Sequence, residues 1–325
     1  LARATPCCKE QCKTTVPRNT VGSLKLSKLI SCWQNIKGNR RDVLAGMRAH
    51  RAAGATTFFC ADSHPESEQA LGSFLAQEEK SREVQVCSTF RGIEGISQAQ
   101  IMSRIKSSIK RLGTDSLDLV SLEFDGVAGS LPAFVRAAQH LADMKAARSI
   151  RELGVANCGV EQLAALSAAG VSVASNLMPL SILNARSFNV PGGLASYCKA
   201  NKIKLLASGA LAGGLLSDRF LGVAQATAAL GPLRGSVGRE LREDELLQEL
   251  LAVLHEIGVK HGVSVANVAL RYVLDAPAVG SVVVGVRQSS TVLGHVADAR
   301  HLFTVYLDEL DYEAINRVLR RAPPP

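Results

Sequence analysis

The chain has 325 residues, 47% of them hydrophobic and 20% charged, and this length suits one large barrel or two ordinary domains. No apolar run reaches the roughly 20 residues that a membrane-spanning helix requires, so only peripheral membrane association through a partner is left open. The net charge is +8, but aromatic residues make up 4% of the chain and no basic stripe carries interleaved aromatics. A nucleic-acid partner is therefore not expected.

The N-terminal segment differs in composition from the rest of the chain. Its first 20 residues are basic, rich in Thr, and contain a single acid, Glu10. This composition is typical of what remains of an organellar transit peptide, and it predicts a plastid or mitochondrial protein, with the cytoplasm as the alternative. We expect residues 1–22 to form an extension, either a docking segment or a disordered tail, ahead of a single domain over residues 23–325.

The eight cysteines do not follow a metal-binding pattern. Three stand among the first 12 residues, but no second pair of Cys or His follows at ligand spacing, so no metal site is predicted. The other five occupy apolar positions typical of buried thiols. Cys32, Cys60 and Cys87 fall at the ends of neighbouring predicted strands, where redox activity is the less frequent alternative.

Short apolar runs rich in Val, Leu and Ile alternate with longer segments, as in parallel strands that are buried on both faces. The predicted strands are 29–33, 57–61, 84–89, 117–122, 150–156, 171–175, 204–208 and 281–284.

Amphipathic segments lie between these runs, and several of them end at a glycine, which is a common helix stop. The predicted helices include 41–53, 97–112, 131–147, 161–169 and 240–261. Eight strand–helix units in about 300 residues predict one closed (β/α)8 barrel of the TIM type. A doubly wound open sheet is less favoured, because no Gly-x-Gly-x-x-Gly turn follows the first strand.

Several motifs occur in the order and spacing of a known family. Residues 52–58 read AAGATTF, residues 110–119 read KRLGTDSLDL, residues 150–157 read IRELGVAN and residues 205–216 read LLASGALAGGLL. In these segments the chain resembles the aldo-keto reductases over residues 24 to about 299. The resemblance implies the same (β/α)8 barrel and hydride transfer from NADPH to a carbonyl group.

The resemblance also places the family's catalytic residues on this sequence. In the family a tyrosine protonates the carbonyl oxygen, a lysine paired with an aspartate lowers the pKa of that tyrosine, and a histidine orients the carbonyl. The family's TFDTADIY stands here as TFFCADSH, which puts the aspartate on Phe59 and the tyrosine on His64. Its ATKF stands as CSTF and its LHW as LEF, so the lysine falls on Thr89 and the histidine on Glu123.

All four replacements weaken that chemistry. Phe59 cannot pair with a cation, Thr89 carries no charge, and Glu123 adds an anion where negative charge would build on the substrate. Only His64 could still donate a proton. The alternative is that His64 and Glu123 form a new site with Asp62 and Glu66 for a metal or for acid–base work.

The family's cofactor site is eroded as well. In the family a Ser-Asn pair and a Gln hold the nicotinamide amide, and a Tyr stacks on the nicotinamide ring. Here Ala156 stands at the serine position, Leu177 at the glutamine position and Ser208 at the tyrosine position. The remnant that could still contact the cofactor comprises Asn157, Ala210, Leu211, Gly213, Arg287 and Gln288.

These positions predict a catalytically inactive relative that acts as a structural or regulatory subunit of a larger, possibly organellar assembly of proteins, without a cofactor. The alternative is an NADP(H)-dependent oxidoreductase with altered catalytic residues. A basic group formed by Lys25, Lys28, Lys37, Arg40 and Arg41 could dock on an anionic surface.

Overall fold

The computed structural model describes residues 15–34, 36, 39–78, 83–92, 95–126, 130–185, 190–224, 226, 244–286 and 298–321. The strands are β1 (Arg18–Val21), β2 (Leu24–Ser27), β3 (Leu29–Cys32), β4 (Thr57–Ala61), β5 (Gln85–Phe90), β6 (Leu117–Glu123), β7 (Ile150–Ala156), β8 (Ser175–Pro179), β9 (Lys204–Ser208) and β10 (Val279–Gly285). The helices are α1 (Arg40–Ala52), α2 (Pro65–Gln77), α3 (Gln98–Leu112), α4 (Ser130–Ala146), α5 (Val160–Ala168), α6 (Leu194–Ala200), α7 (Asp244–His261), α8 (Val265–Leu274) and α9 (Glu309–Leu319).

Eight parallel strands close into a barrel in the order β10-β3-β4-β5-β6-β7-β8-β9. The predicted (β/α)8 barrel is therefore confirmed. Local signals agree with the helix bounds: Ser97 and Gln100 form a capping box at the start of α3, and Gly113 ends that helix with a left-handed φ of 66°. Among the described helices, none is long and apolar enough to cross a membrane.

The sixth predicted strand was wrong in position. The apolar run 171–175 predicted a strand, but β8 begins at Ser175 and continues through Asn176 to Pro179. Val171 and Val173 are buried by packing in the layer between strands and helices, not by pairing in the barrel. Asn176 fits in the strand because its side chain bonds both backbone groups of Cys158, at 2.7 and 3.4 Å.

An antiparallel hairpin, β1–β2, closes the amino end of the barrel. Its inward side chains are buried in the same cluster as the barrel interior; they are Val21, Leu24 and Leu26. The Ser27 hydroxyl accepts hydrogen bonds from the backbone N–H groups of Thr56 and Thr57, where β4 begins, and Asn19 donates to Ser281 at 2.9 Å.

The hairpin crosses residue 22, where the sequence had placed the boundary between an extension and the barrel. Residues 15–22 are thus part of the domain, because apolar side chains of this hairpin are buried against the amino end of the barrel interior, which would otherwise be exposed to water. Residues 1–14 of the predicted extension lie outside the described residues.

Candidate functional site

Side chains on the barrel strands alternate between the interior and the helical layer. Phe59 and Cys87 belong to the interior cluster with the hairpin, whereas Phe58 and Val86 belong to the outer cluster with the helices. The catalytic positions that the resemblance assigns to β4, β5 and β6 therefore all face into the barrel.

Phe59 occupies the aspartate position and is 3% exposed. Its ring packs in the interior cluster that contains Leu119, Leu206 and the hairpin residues. An apolar ring at this depth cannot hold a cation by an ion pair. It gives the barrel a continuous apolar filling from the hairpin to the middle of the strands.

Thr89 occupies the lysine position and is 6% exposed. It is aligned with Ser121 on β6, which is aligned with Gly154 on β7 and, through it, with Ser175 on β8. The hydroxyl oxygens of Thr89, Ser121 and Ser175 are buried and have no hydrogen-bond partner among the described residues. Small hydroxyl residues thus fill the layer where the family would place an ammonium group.

Glu123 occupies the histidine position at the carboxyl end of β6 and is 9% exposed. Its Oε1 accepts a hydrogen bond from the Arg91 guanidinium at 2.5 Å and another from the Asn157 amide at 3.0 Å. Asn157 follows β7 with a left-handed φ of 59°, a conformation that asparagine tolerates. These contacts join the ends of β5, β6 and β7 across the mouth of the barrel.

Asp62 follows β4 and pairs with Arg104 of α3, at 2.7 Å from Nε and 2.5 Å from Nη2. Arg104 also donates to the backbone carbonyls of Arg91 and Gly92 at 2.9 and 3.3 Å. Burial raises the pKa of the Asp62 carboxyl, and the hydrogen bond and charge of Arg104 oppose that rise only in part. Arg104 therefore fixes the loop after β5 to the end of β4.

His64 takes the tyrosine position and stands at the N-cap of α2, half-buried, with its Nδ1 3.1 Å from the hydroxyl of Ser63. The structure does not join it to the carboxylates that the sequence grouped with it. Asp62 is bound to Arg104, Glu66 is exposed on α2, and Glu123 is bound to Arg91. Within the part of the chain that the structure describes, no three His, Cys, Asp or Glu side chains are arranged to hold a metal ion.

An open cleft of about 610 Å³ lies at this mouth. We call it the acidic cleft; it is lined by Arg91, Glu123, Phe124, Asp125, Gly126 and Asn157. Its lining carries two carboxylates and one guanidinium.

The polar side chains at the positions that would hold a nicotinamide are hydrogen-bonded to other groups of the protein. The Asn157 amide donates to Glu123, and the Asn176 amide is bound to the backbone of Cys158. Leu177 is aligned with Ala156, so no side-chain donor stands there, and the Ser208 hydroxyl donates to Met178 O at 3.1 Å. This arrangement does not fit the amide and ring of a nicotinamide.

The turn after β9 carries Ala210, Leu211 and Gly213 of the predicted cofactor remnant. Ala210 is buried, Leu211 is half-buried, and Gly213 has a left-handed φ of 69°. Several amides of the turn donate to carbonyls within it: Ala212 to Gly209, Gly214 to Leu211 and Leu216 to Leu211. These amides are not available to phosphate oxygens. Arg287 and Gln288 lie outside the described residues.

Sequence reasoning missed Arg91 and Arg104, which organise the mouth. The signal for Arg91 was a charged residue directly after a predicted strand, at the face where barrel enzymes carry their functional groups. Arg104 gave no such signal, because it lies on the polar side of an amphipathic helix among other basic residues.

The buried cysteines do not form a reactive centre. Cys60 lies toward the helices and Cys87 toward the interior, and both are fully buried. Burial raises the pKa of both thiols, and it also raises that of the partly buried Cys32. A raised pKa leaves the thiols protonated and unreactive.

Comparison with known proteins agrees with this fold. The model of the aldo/keto reductase family matches residues 32–320. Aldo-keto reductase YhdN of Bacillus subtilis is 25% identical over 227 residues, which are 69% of this chain and 64% of that protein. Protein tas of Escherichia coli is 29% identical over 211 residues, 59% of this chain and 60% of that protein. The matches thus span less than two thirds of these relatives.

Two solved structures superpose over nearly the whole chain. Glycerol dehydrogenase AKR11B4 from Gluconobacter oxydans has a TM-score of 0.76 at 20% identity and covers 97% of both chains. Aldo-keto reductase AKR11C1 from Bacillus halodurans has a TM-score of 0.73 at 18% identity, over 95% of this chain and 97% of that one. At this identity the two structures establish the fold alone. Because the family model spans most of the chain, this protein belongs to the aldo/keto reductase family.

Proposed function

We propose that this family member does not carry out tyrosine-dependent carbonyl reduction and that its barrel is a structural or regulatory subunit of a larger protein assembly. The observation that carries the proposal is Phe59, a buried ring at the position where the family's aspartate would hold a lysine. Thr89 supports it, since a neutral hydroxyl at the lysine position cannot lower the pKa of a nearby acid.

The polarity of the mouth supports the same proposal. Carbonyl reduction builds negative charge on an oxygen, which hydrogen-bond donors or cations must stabilise. At the acidic cleft the Glu123 carboxylate accepts hydrogen bonds from the Arg91 guanidinium and from the Asn157 amide. Each of these two groups thus directs an N–H to a carboxylate, and the charge of that carboxylate opposes the build-up of negative charge on a substrate oxygen.

The test is a thermal-shift titration with NADPH, followed by an assay of NADPH oxidation with a panel of aldehydes and ketones. A ligand that binds only the folded state raises the melting temperature by mass action. We expect no shift at micromolar NADPH and no turnover. The assembly is tested on the protein isolated from its source, whose native mass should exceed the mass of the same chain measured under denaturing conditions. Turnover, or a native mass equal to one chain, would each contradict the part that it addresses.

A second candidate is an NADP(H)-dependent oxidoreductase with altered catalytic residues. The comparisons with known proteins favour this candidate over the first proposal, because three of the similar proteins are named as a dehydrogenase or as aldo-keto reductases. In the site, the feature that favours it is Glu123, a nearly buried carboxyl at the end of β6 that could supply a proton.

A substitution at Glu123 separates the two candidates. If the chain oxidises NADPH with a carbonyl substrate, Glu123→Gln should lower kcat by about 100-fold, the usual contribution of a general acid. The matched control is Glu66→Gln, which removes an exposed carboxylate on α2. Equal turnover in the two variants would exclude Glu123 as the proton donor.

A further inference from the structure

A groove on the outer surface of the barrel crosses α2 between α1 and α3, and its volume is about 720 Å³. We call it the basic groove; it is lined by Arg40, Gln69, Gly72, Ser73, Ala76, Ser107, Lys110, Arg111 and Gly113. Three of these residues are cations, and none of them is an acid. Positive charge therefore stands on both of the helices that flank α2.

The close packing of α3 against α2 brings two of the cations to the groove. An added Cβ at Gly72 would overlap the backbone carbonyl of Arg111, so the glycine lets the last turn of α3 lie directly on α2. Lys110 and Arg111 belong to that last turn, where a cation complements the helix dipole. Arg40 is the first residue of α1, at the end of a helix where the dipole disfavours a cation. The charge of Arg40 therefore does not serve the stability of α1.

One of the three cations is neutralised within the fold and two are not. The Arg111 Nε donates to Glu68 Oε2 at 2.5 Å, and Glu68 is fully buried. Arg40 donates to the hydroxyl of Ser73, which is a neutral acceptor. Lys110 is exposed, and among the described residues no carboxylate pairs with it or with Arg40. The groove therefore presents two positive charges that the described part of the chain leaves without an ion pair.

The neutral polar groups of the groove do not select a ligand. The hydroxyls of Ser73 and Ser107 donate to the backbone carbonyls of Gln69 and Ser103 at 2.7 and 2.9 Å, and their oxygens can also accept. The Gln69 side-chain amide can both donate and accept. Selection thus depends on the two unpaired charges, which favour an anion.

The size and the composition of the groove favour a chain over a single ion. Its volume is many times that of one carboxylate or phosphate group. Arg40 and Lys110 stand on the two helices on either side of α2, so a ligand that pairs with both needs more than one anionic group. No aromatic residue lines the groove, so the bases of a nucleic acid would have no ring to stack on. An extended peptide with several carboxylates meets these conditions.

We propose that the basic groove docks an extended segment of a protein partner that is rich in Asp or Glu, with carboxylates paired to Arg40 and Lys110 across α2. The inference rests on the proposed role as a subunit of an assembly, and it specifies the chemistry of the partner. It also divides the basic group that the sequence suggested. Lys25 and Lys28 lie at the closing hairpin, at the amino end of the barrel, whereas Arg40 joins the cations of α3.

Three probes of similar length test the nature of the ligand: the peptides hexaglutamate and hexaglutamine, and single-stranded hexathymidylate. Each is titrated into the full chain at low ionic strength, by isothermal calorimetry and by nuclear magnetic resonance. We expect saturable binding of hexaglutamate, at least about tenfold tighter than that of hexaglutamine and tighter than that of hexathymidylate. Added salt should weaken the binding, since the ion pairs are exposed. Equal affinity for the two peptides, or preference for hexathymidylate, would overturn the proposal.

Variants at exposed positions locate the binding within the groove. Arg40→Gln and Lys110→Gln should each weaken hexaglutamate binding by about threefold, the contribution of one exposed ion pair, and together by about tenfold. The matched control is Lys199→Gln, which removes the same charge from an exposed position on α6, between β8 and β9. It should bind hexaglutamate nearly as the unmodified chain does. An equal loss in Lys199→Gln and Lys110→Gln would show that net charge attracts the peptide, and would refute the site.

The outcome is separate from that of the proposed function. Binding of hexaglutamate needs neither NADPH nor turnover, so carbonyl reduction by the chain would contradict the proposed function and leave this measurement intact. A native mass equal to one chain would contradict the assembly. Lack of hexaglutamate binding by a protein whose native mass exceeds that of one chain would contradict only the acidic segment.

Discussion

The Lys145 ammonium lies 2.5 Å from Oε2 of the Glu152 carboxylate, at the amino end of the barrel. The other oxygen of Glu152 accepts the backbone N–H of Ser23 at 2.7 Å. One buried carboxylate on β7 thus links α4 to the turn of the closing hairpin. Burial alone would raise the pKa of Glu152, but the hydrogen bonds from Lys145 and Ser23 outweigh it and lower that pKa.

We therefore expect Glu152→Gln to lower the free energy of unfolding by about 1–3 kcal/mol at pH 7, because it leaves the hairpin turn without its charged acceptor. Urea unfolding measures the loss. The control is Glu256→Gln, at an exposed position on α7, where we expect a change within about 0.5 kcal/mol.

The same contribution should depend on pH in a defined direction. The folded pKa of Glu152 is lowered, so the stabilisation is present above the unfolded pKa and is lost as pH falls through the folded pKa. The difference in stability between the unmodified chain and Glu152→Gln should accordingly shrink below about pH 4. A difference that grew on acidification would show that the carboxylate is not held in its charged form.

Gly22→Ala should destabilise the hairpin. Gly22 has a φ of +57°, and an added Cβ would come within 2.6 Å of Glu152 Oε1. Gly113 offers a matched comparison, because it has a similar φ of +66° and nothing within 4 Å of an added Cβ. We expect Gly113→Ala to cost about 1 kcal/mol from backbone strain alone, and Gly22→Ala to cost about 1–3 kcal/mol more. Equal losses of stability for the two variants in thermal or urea unfolding would show that the hairpin turn adjusts to the added methyl group without a cost in free energy.

Phe59 and Thr89 should be energetically coupled when charges are introduced. Phe59→Asp would bury a carboxylate in the barrel interior and cost about 4 kcal/mol or more. Thr89 is aligned with Ala61, which lies two residues after Phe59 on β4. A lysine at position 89 would therefore stand one layer of side chains above an aspartate at position 59, toward the carboxyl ends of the strands. We expect Thr89→Lys to recover about 1 kcal/mol or more in the Phe59→Asp background.

The control repeats this double-mutant comparison with Phe59→Asn, which is polar but uncharged. In that background Thr89→Lys should recover no stability. Urea unfolding of the variants gives the coupling energy. Strictly additive effects would mean that the resemblance aligns these two strands incorrectly.

Arg104→Gln should lower stability by about 2–4 kcal/mol, because it leaves the Asp62 carboxylate buried without its partner. Burial already raises the folded pKa of Asp62, and loss of Arg104 raises it further. An acid with a raised folded pKa destabilises the fold increasingly as pH rises from its unfolded pKa through its folded pKa. The cost should therefore be larger at pH 7 than at pH 5, as measured by urea unfolding.

Two variants check this interpretation. Asp62→Asn combined with Arg104→Gln should remove the pH dependence, because no carboxylate remains. Arg317→Gln breaks an exposed ion pair with a separation of 4.0 Å and should cost less than about 0.5 kcal/mol. A cost of Arg104→Gln as small as that of Arg317→Gln would contradict the role assigned to Arg104.

Much of the architecture could be read from the chain because it is local. A buried parallel strand needs a short run of Val, Leu and Ile, and a helix needs its apolar period and a stop, as at Gly113. Prediction failed at β8 because Val171 and Val173 are buried without pairing, and hydrophobicity alone does not distinguish the two. It failed at the hairpin because residues 18–22 carry few apolar side chains, although their closing role depends on the shape of the barrel floor.

The sequence by itself determined the barrel, the family, and the identities of Phe59, His64, Thr89 and Glu123. Only the tertiary structure decided the partners of these side chains, because hydrogen bonds and ion pairs at the mouth join residues tens of positions apart. It separated His64 from the carboxylates, gave Asp62 to Arg104, and tied Asn157 and Arg91 to Glu123. Composition cannot reveal these pairings, since a charge acts through distance and burial, which only the folded chain sets.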